Sequence, residues 1–266
     1  MITLASDFGS PYPAAMKGVV LQRTDARLVD VSHAFPRQDV RAAAFWLREI
    51  LPYFPPAMHL IVVDPGVGTD RAAVAIEAGE HVLVGPDNGV LLPAARVLAG
   101  DAEAATSDAD DAIRVHEISY ENAASSTFHG RDVFAPAAAE IHESWAADGT
   151  VPDAVDGVGD VTPTDEFVHL DLPEPAIEGD AVRGEVLVVD DFGNAITNVP
   201  GYVLEGLDEV HVDGRAVPAV ETFAEVPEGQ WLATVGSHGN VELDVNRGRG
   251  DEAFGVEAGD SVRIEL

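Results

Sequence analysis

The spacing of apolar residues changes about two-thirds of the way along the chain, and that change limits the fold more than any single motif. Up to about Leu172, β-branched runs alternate with segments of helical spacing. Ile2 to Ser6, Ala26 to Val31 and Leu60 to Val63 read as strands. Between them lie a helix over Ala14 to Gln22 and another opened by Asp39, carrying Ala43, Phe45, Trp46, Leu47, Ile50 and Leu51 and stopped by Pro52. Two more strands (Ala72 to Glu77, His81 to Val84), a short helix (Val90 to Leu98), a strand (Ile113 to Ile118) and a long amphipathic helix (Val133 to Ala147) continue the alternation. Such an order predicts an α/β domain, a layered sheet with helices. Beyond the proline-rich stretch Leu172 to Gly179, from about Gly184, only short β-rich runs remain: Glu185 to Val189, Glu209 to Val212, Trp231 to Val235, Val241 to Val245 and Ser261 to Leu266. That pattern predicts a smaller all-β barrel. The expected organisation is an α/β domain over residues 1–172 and a β-barrel domain over residues 180–266. The stretches Ala99 to Asp111 and Asp148 to Asp165 read as acidic surface.

Chemistry concentrates where strands end. Asp7, Asp64 and Asp87 each follow an apolar strand, and in open α/β sheets ligands bind at such ends. The most telling stretch is Ile61 to Arg71, IVVDPGVGTDR, a buried strand delivering a carboxylate to a proline-glycine loop with an arginine seven residues on. Taken singly, each aspartate is ordinary turn chemistry. His129 stands between Phe128 and Gly130 just before the long helix, beside Arg131 and Asp132. In the β-rich region, Asp190 to Asn194 (DDFGN) and Ser237 to Asn240 read as hairpin turns. Phe192 there can stack on a flat ring, and Asn194 carries the donor and acceptor that an adenine edge needs.

Several classes are disfavoured. With no cysteine, and nine histidines forming no HxxxH, HExxH or HxH pair, a metal site is not expected. Phosphate-loop, dinucleotide and GxSxG signatures are missing. The net charge of −32 arises from 47 acidic residues against 15 basic ones, with Lys17 the sole lysine, so nucleic acid and anionic membranes are poor partners. The carboxylates are spread along a chain of normal apolar content, 46%. They fit a surface kept soluble in high salt and point to a haloarchaeal host. No apolar run approaches the roughly 20 residues of a membrane span. The start MITLASDFG lacks a signal peptide's basic and apolar segments, and a cytoplasmic location is expected.

Six motifs in order carry a resemblance: SDFG with a following KG, VDPGVGTDR, GPDNG, STFHGRDVFAPAAA, DDFGNAITN and GSHGNVEL. Together they resemble the S-adenosylmethionine (SAM) hydrolase family, the SAM hydroxide adenosyltransferases, related to the adenosyl fluorinases and chlorinases. The resemblance implies a homotrimer whose active sites lie at subunit interfaces. It implies SAM as substrate, no cofactor, and hydrolysis to adenosine and methionine. Catalytic residues fall on Asp64, Arg71 and His129. The ribose-holding carboxylate falls on Asp7, and further substrate contacts on Asp190, Phe192, Asn194 and Ser237, with Asn194 on the purine side and Asp190 and Ser237 at the amino-acid end. Two alternatives are a chlorinase-like halide synthase, whose halide pocket lacks the Asp and His present here, and a SAM-binding module, which would have no need of the trio. Arg249-Gly250-Asp251 departs from the small residues common in relatives, at a loop that contacts adenine in the family.

Overall fold

Alternation within single strands decides which layer each side chain joins. A computed structural model describes residues 1–100, 112–120, 127–148, 155, 158 and 160–266. Most of the acidic stretch Ala99 to Asp111, the start of the STFHGRD motif at Ser126, and much of Asp148 to Gly159 lie outside the described residues. The chain divides into two compact units, Met1–Leu172 and Pro173–Leu266.

The first unit holds a seven-stranded sheet of β1 (Ile2–Ser6), β2 (Leu28–Ser32), β3 (Met58–Val62), β4 (Ala73–Ala78), β5 (His81–Pro86), β6 (Ile113–Ile118) and β7 (Val161–Pro163). The order is β2-β1-β3-β5-β4-β6-β7. The first four strands of that order run parallel, and β4, β6 and β7 pair antiparallel. Leu60 and Val62 point into one apolar cluster with Met16, Phe134 and Ile141, from helices α1 (Tyr12–Leu21) and α4 (Ala135–Asp148) and the turn before α4. Ile61 and Val63 point into the opposite cluster, with Leu47 of α2 (Val40–Ile50) and Ala95 of α3 (Leu92–Leu98). A sheet covered on both faces explains the continuous apolar runs, since each fully buried aliphatic side chain contributes roughly 1.5–3 kcal/mol. Asp39 caps α2 by accepting from the Ala42 amide at 2.9 Å.

Two sequence readings in this unit need correction. Regular α-helix begins at Ala135 rather than Val133, because Gly130–Phe134 is wound as a π-turn. Residues Asp148 to Asp165 are not all surface: Val161 is buried in β7, and Val155 is fully buried. Alternating acidic and apolar residues hid both.

The second unit is antiparallel throughout its paired strands: β8 (Ala176–Glu178), β9 (Ala181–Val189), β10 (Ala195–Pro200), β11 (Glu209–Val212), β12 (Arg215–Pro218), β13 (Trp231–Val235), β14 (Asn240–Val245) and β15 (Ser261–Glu265). Their order is β12-β11-β15-β9-β10-β14-β13, with β8 on β9. The sheet curls until its ends meet. Ala219, just past β12, bridges Ala233 of β13, and the Val220 amide donates to the Ala233 carbonyl at 3.0 Å. The result is a nearly closed barrel around Val186, Ala195, Val199, Leu243 and Val262.

Candidate active site

The chain leaves β1 toward β2 on one side, while β3 lies on the other. Such a reversal opens a crevice at the carboxyl ends of the two strands flanking it, here β1 and β3. Ser6 and Val62 are register partners, so Asp7 and Asp64 emerge as neighbours. Asp87 follows the next strand, β5. The three strand-end carboxylates picked out in the sequence thus share one edge of the sheet.

Asp64 and Arg71 close on each other across their loop. Arg71 Nε donates to Asp64 Oδ1 at 2.9 Å, and Nη2 donates to Oδ2 at 2.8 Å, a fork-to-fork pair with both side chains nearly buried. The same Nη2 reaches His129 Nδ1 at 3.2 Å, and Nη1 donates to the Ala72 carbonyl. Below the guanidinium lies the Phe134 ring, its centroid 5.2 Å away. Four of the five N–H groups of Arg71 are therefore used, and its orientation is determined. Because Nδ1 of His129 accepts from Arg71, the neutral imidazole carries its proton on Nε2. His129 is 4% exposed. Burial pushes its imidazole below the usual value and the Arg71 charge adds to that, outweighing Asp64 and Asp132. At neutral pH it is a donor through Nε2, with no proton to spare on Nδ1.

The π-turn brings His129 to this place. A Cβ on Gly130 would come within 2.8 Å of Met16 Sδ and 3.2 Å of Val62, so the glycine lets the turn lie close to the end of β3 without displacing those side chains. Tyr120, which sequence reasoning missed, donates its hydroxyl to the Arg71 carbonyl, and its ring lies 5.3 Å from that of His129. Phe134 was likewise read only as helix. Neither carried a local signal, because their role depends on contacts with residues far away in sequence.

The remaining expected residues fall into separate groups. Asp7 is half-buried and accepts from the Gln38 amide at 2.7 Å. Its neighbour Ser6 starts a polar chain, with its hydroxyl 2.7 Å from His33 Nδ1, His33 Nε2 3.1 Å from Asp30, and Lys17 2.6 Å from the other Asp30 oxygen. Ser6 is fully buried and unsuited to act as a nucleophile. Asp87 accepts from the Val168 amide at 2.8 Å, and burial pushes its carboxyl above the usual range against the pull of that amide, Arg71 and His169.

In the barrel, Asp190, Phe192 and Asn194 share one turn. Asp190 Oδ1 accepts from the Phe192 and Asn194 amides, both at 2.9 Å, and Oδ2 accepts from the Asn194 side chain at 3.1 Å. That leaves the Phe192 ring 79% exposed. The turn rests on the loop Arg249 to Asp251: the Asp251 amide donates to the Gly193 carbonyl at 2.9 Å, and Arg249 is paired with Asp251. Gly250 is needed because its Cβ would lie 2.1 Å from the Leu243 carbonyl. Ser237 is exposed in the following hairpin. There His238 Nε2 lies 2.9 Å from Glu242. Among the described residues no group of three or more His, Asp or Glu could hold a metal ion, and no helix is long and apolar enough to cross a membrane.

Comparison with known proteins gives consistent matches. Residues 2–149 match the family model described as SAM hydroxide adenosyltransferase N-terminal domain, and residues 184–263 match its C-terminal counterpart. A protein of Salinispora tropica named (R)-S-adenosyl-L-methionine hydrolase is 39% identical over 99% of this chain and 97% of its own. One of the same name from Thermus thermophilus is 43% identical over 97% of each. Among solved structures, an uncharacterized conserved protein from Thermotoga maritima superposes with a TM-score of 0.78 at 30% identity, covering all of both chains. A conserved hypothetical protein from Thermus thermophilus gives 0.71 at 40% identity, covering 99% of this chain and 98% of its own.

Proposed function

The chain belongs to the SAM hydroxide adenosyltransferase family, and from that premise we propose that it hydrolyses S-adenosyl-L-methionine to adenosine and L-methionine. The observation that carries this reading is the closed Asp64–Arg71–His129 cluster at the crevice between β1 and β3. Water attacks C5′ in line with the C5′–S bond. The new bond is O–C5′, the C5′–S pair returns to sulfur, and one proton leaves the water. Methionine departs as a neutral thioether, so nothing on the leaving side needs an acid or a metal ion. The demand falls on the nucleophile.

The residues divide that task. Arg71 takes only one direction of each Asp64 oxygen, which leaves lone pairs free to accept from the water. His129 donates through Nε2 to the water oxygen and fixes its direction. Asp64 then receives the proton as the O–C5′ bond forms. Arg71 keeps the two aligned and balances the Asp64 charge. Asp7 holds the ribose hydroxyls, while Asp190, Phe192, Asn194 and Ser237 of a neighbouring subunit complete a site in a homotrimer.

Incubation with SAM in molar KCl, followed by chromatography, tests the reaction. Equal amounts of adenosine and methionine, with one proton released per turnover, are expected. A halide synthase would give 5′-chloroadenosine, and a binding module would leave SAM intact. Either result would refute the hydrolase. A carboxylate beside the incoming nucleophile repels chloride and argues against the first.

A further inference from the structure

Three non-glycine residues among those described hold the backbone in the left-handed region: Gln38 at φ 60°, Asp213 at 49° and Arg247 at 57°. Asp213 opens the Asp-Gly turn between β11 and β12, where that geometry is ordinary, and Arg247 lies in the turn that leaves β14. Gln38 is different. It belongs to no hairpin and directly precedes Asp39, the cap of α2. A glutamine in this conformation costs energy, and the conformation persists only where the surroundings fix it.

Those surroundings are the residues around Asp7. The Gln38 amide donates to Asp7 Oδ2 at 2.7 Å, and among the described residues no other hydrogen bond reaches that carboxylate. Just before Asp7, Ser6 Oγ lies 2.7 Å from His33 Nδ1; just beyond it, the Gly9 amide donates to the His33 carbonyl at 3.0 Å. His33 is itself held by Asp30, which Lys17 holds in turn. The loop from His33 to Gln38 thus grips the end of β1 on both sides of Asp7 and then reaches its carboxylate. The Gln38 side chain is exposed and takes no part in this grip, so the contribution is made by the backbone.

We propose that the left-handed turn at Gln38 is a positioning device for Asp7, one that sets its carboxylate to receive the ribose diol and so makes the protein discriminate ribonucleosides from nucleosides lacking those hydroxyls. This rests on the hydrolase reading above, in which Asp7 holds the ribose. The terminal torsion of an aspartate is soft, and the plane of a solitary carboxylate turns easily. A charge-assisted bond from a backbone amide fixes that plane. It occupies one direction at Oδ2, which leaves Oδ1 and the remaining direction at Oδ2 for two vicinal hydroxyls. With the amide swung away, the carboxylate is free to rotate and no longer meets both hydroxyls together.

Gln38→Val and Gln38→Gly separate backbone from side chain. A β-branched residue is driven out of the left-handed region, whereas glycine accepts it, and both variants discard the same carboxamide. Binding of adenosine and of 2′,3′-dideoxyadenosine, which lacks both hydroxyls, is to be measured by calorimetry in molar KCl for each full-length protein. The device predicts that Gln38→Val lowers the preference for adenosine by about tenfold, with binding of the dideoxy compound held within about twofold. Gln38→Gly should keep the preference within about threefold of the parent. Equal weakening of both ligands by Gln38→Val would mean a loosened loop and overturn the proposal. So would a loss in Gln38→Gly as large as in Gln38→Val, because the side chain would then carry the effect. His33→Ala cuts the bond to Ser6, keeps the carbonyl that Gly9 uses, and decides the matter if Gln38→Val does not fold. There the preference should fall by about threefold, and an unchanged preference would overturn the device. A parent that prefers adenosine yet leaves SAM intact would remove the hydrolase reading and spare the device; a parent that hydrolyses SAM with no such preference would do the reverse.

Discussion

Arg71 shows how one side chain can organise a site without being the group that changes. It spans Asp64, His129 and the Ala72 carbonyl, so moving any of these disturbs the others. The chemical burden in our reading nevertheless falls on Asp64. Asp64→Ala should reduce SAM turnover by about 10²–10⁴-fold while SAM affinity stays within about tenfold. Steady-state kinetics with equilibrium binding checks this, and unchanged turnover would exclude Asp64 from catalysis. Much of the cluster was legible in the sequence, because Asp64 and Arg71 lie in one loop and His129 directly precedes a helix. Tyr120 was not, since its contact with Arg71 spans 49 residues and nothing near it in sequence marks it.

At the level of elements, strands were easier to read than their partners. The runs at Glu209–Val212 and Trp231–Val235 were legible to the residue, whereas β8 and β12 are too short and too polar to stand out. The π-turn was invisible because its residues carry the same apolar spacing as the helix it opens. The strand β14 contains a further feature, the fully buried Asp244, whose oxygens meet no donor among the described residues. Burial pushes its carboxyl up to about 8, with Glu242 and Asp190 adding to the shift. The folded state thus keeps a proton that the unfolded chain, near the ordinary 3.8, gives up. That contribution to stability is complete below about 3.8 and is lost as pH rises through about 8. Asp244→Asn cannot ionise, and should match the parent near pH 4 and exceed it increasingly toward pH 8. Denaturant unfolding across that range measures the gap. If the gap did not change with pH, the buried proton would not exist.

For the whole molecule, we infer from the charge of −32 that salt favours the folded state. Self-repulsion opposes compaction, and its range shrinks from about 10 Å at 0.1 M salt to about 3 Å at 1 M. In the homotrimer we propose, the same screening would let the acidic subunits approach. Sedimentation in KCl from 0.1 to 3 M should therefore show a species of three times the 28.0 kDa chain at high salt, with dissociation or unfolding at the low end. A monomer with full activity at every salt concentration would contradict both the trimer and the salt adaptation.

The meeting of the barrel's two ends at Ala219 and Ala233 bears on how such a protein avoids aggregation. In dilute buffer like charges hold molecules apart, but in concentrated salt that barrier is largely gone, and an open strand edge would recruit the edge of another molecule. Closing the sheet replaces an electrostatic guard with a geometric one that salt cannot switch off. The seven-stranded sheet, which stays open, ends instead on two short strands, β2 of five residues and β7 of three, and β2 carries the Asp30–Lys17 pair. Edge-to-edge association at high ionic strength is thus opposed by topology in the second unit and by brevity in the first.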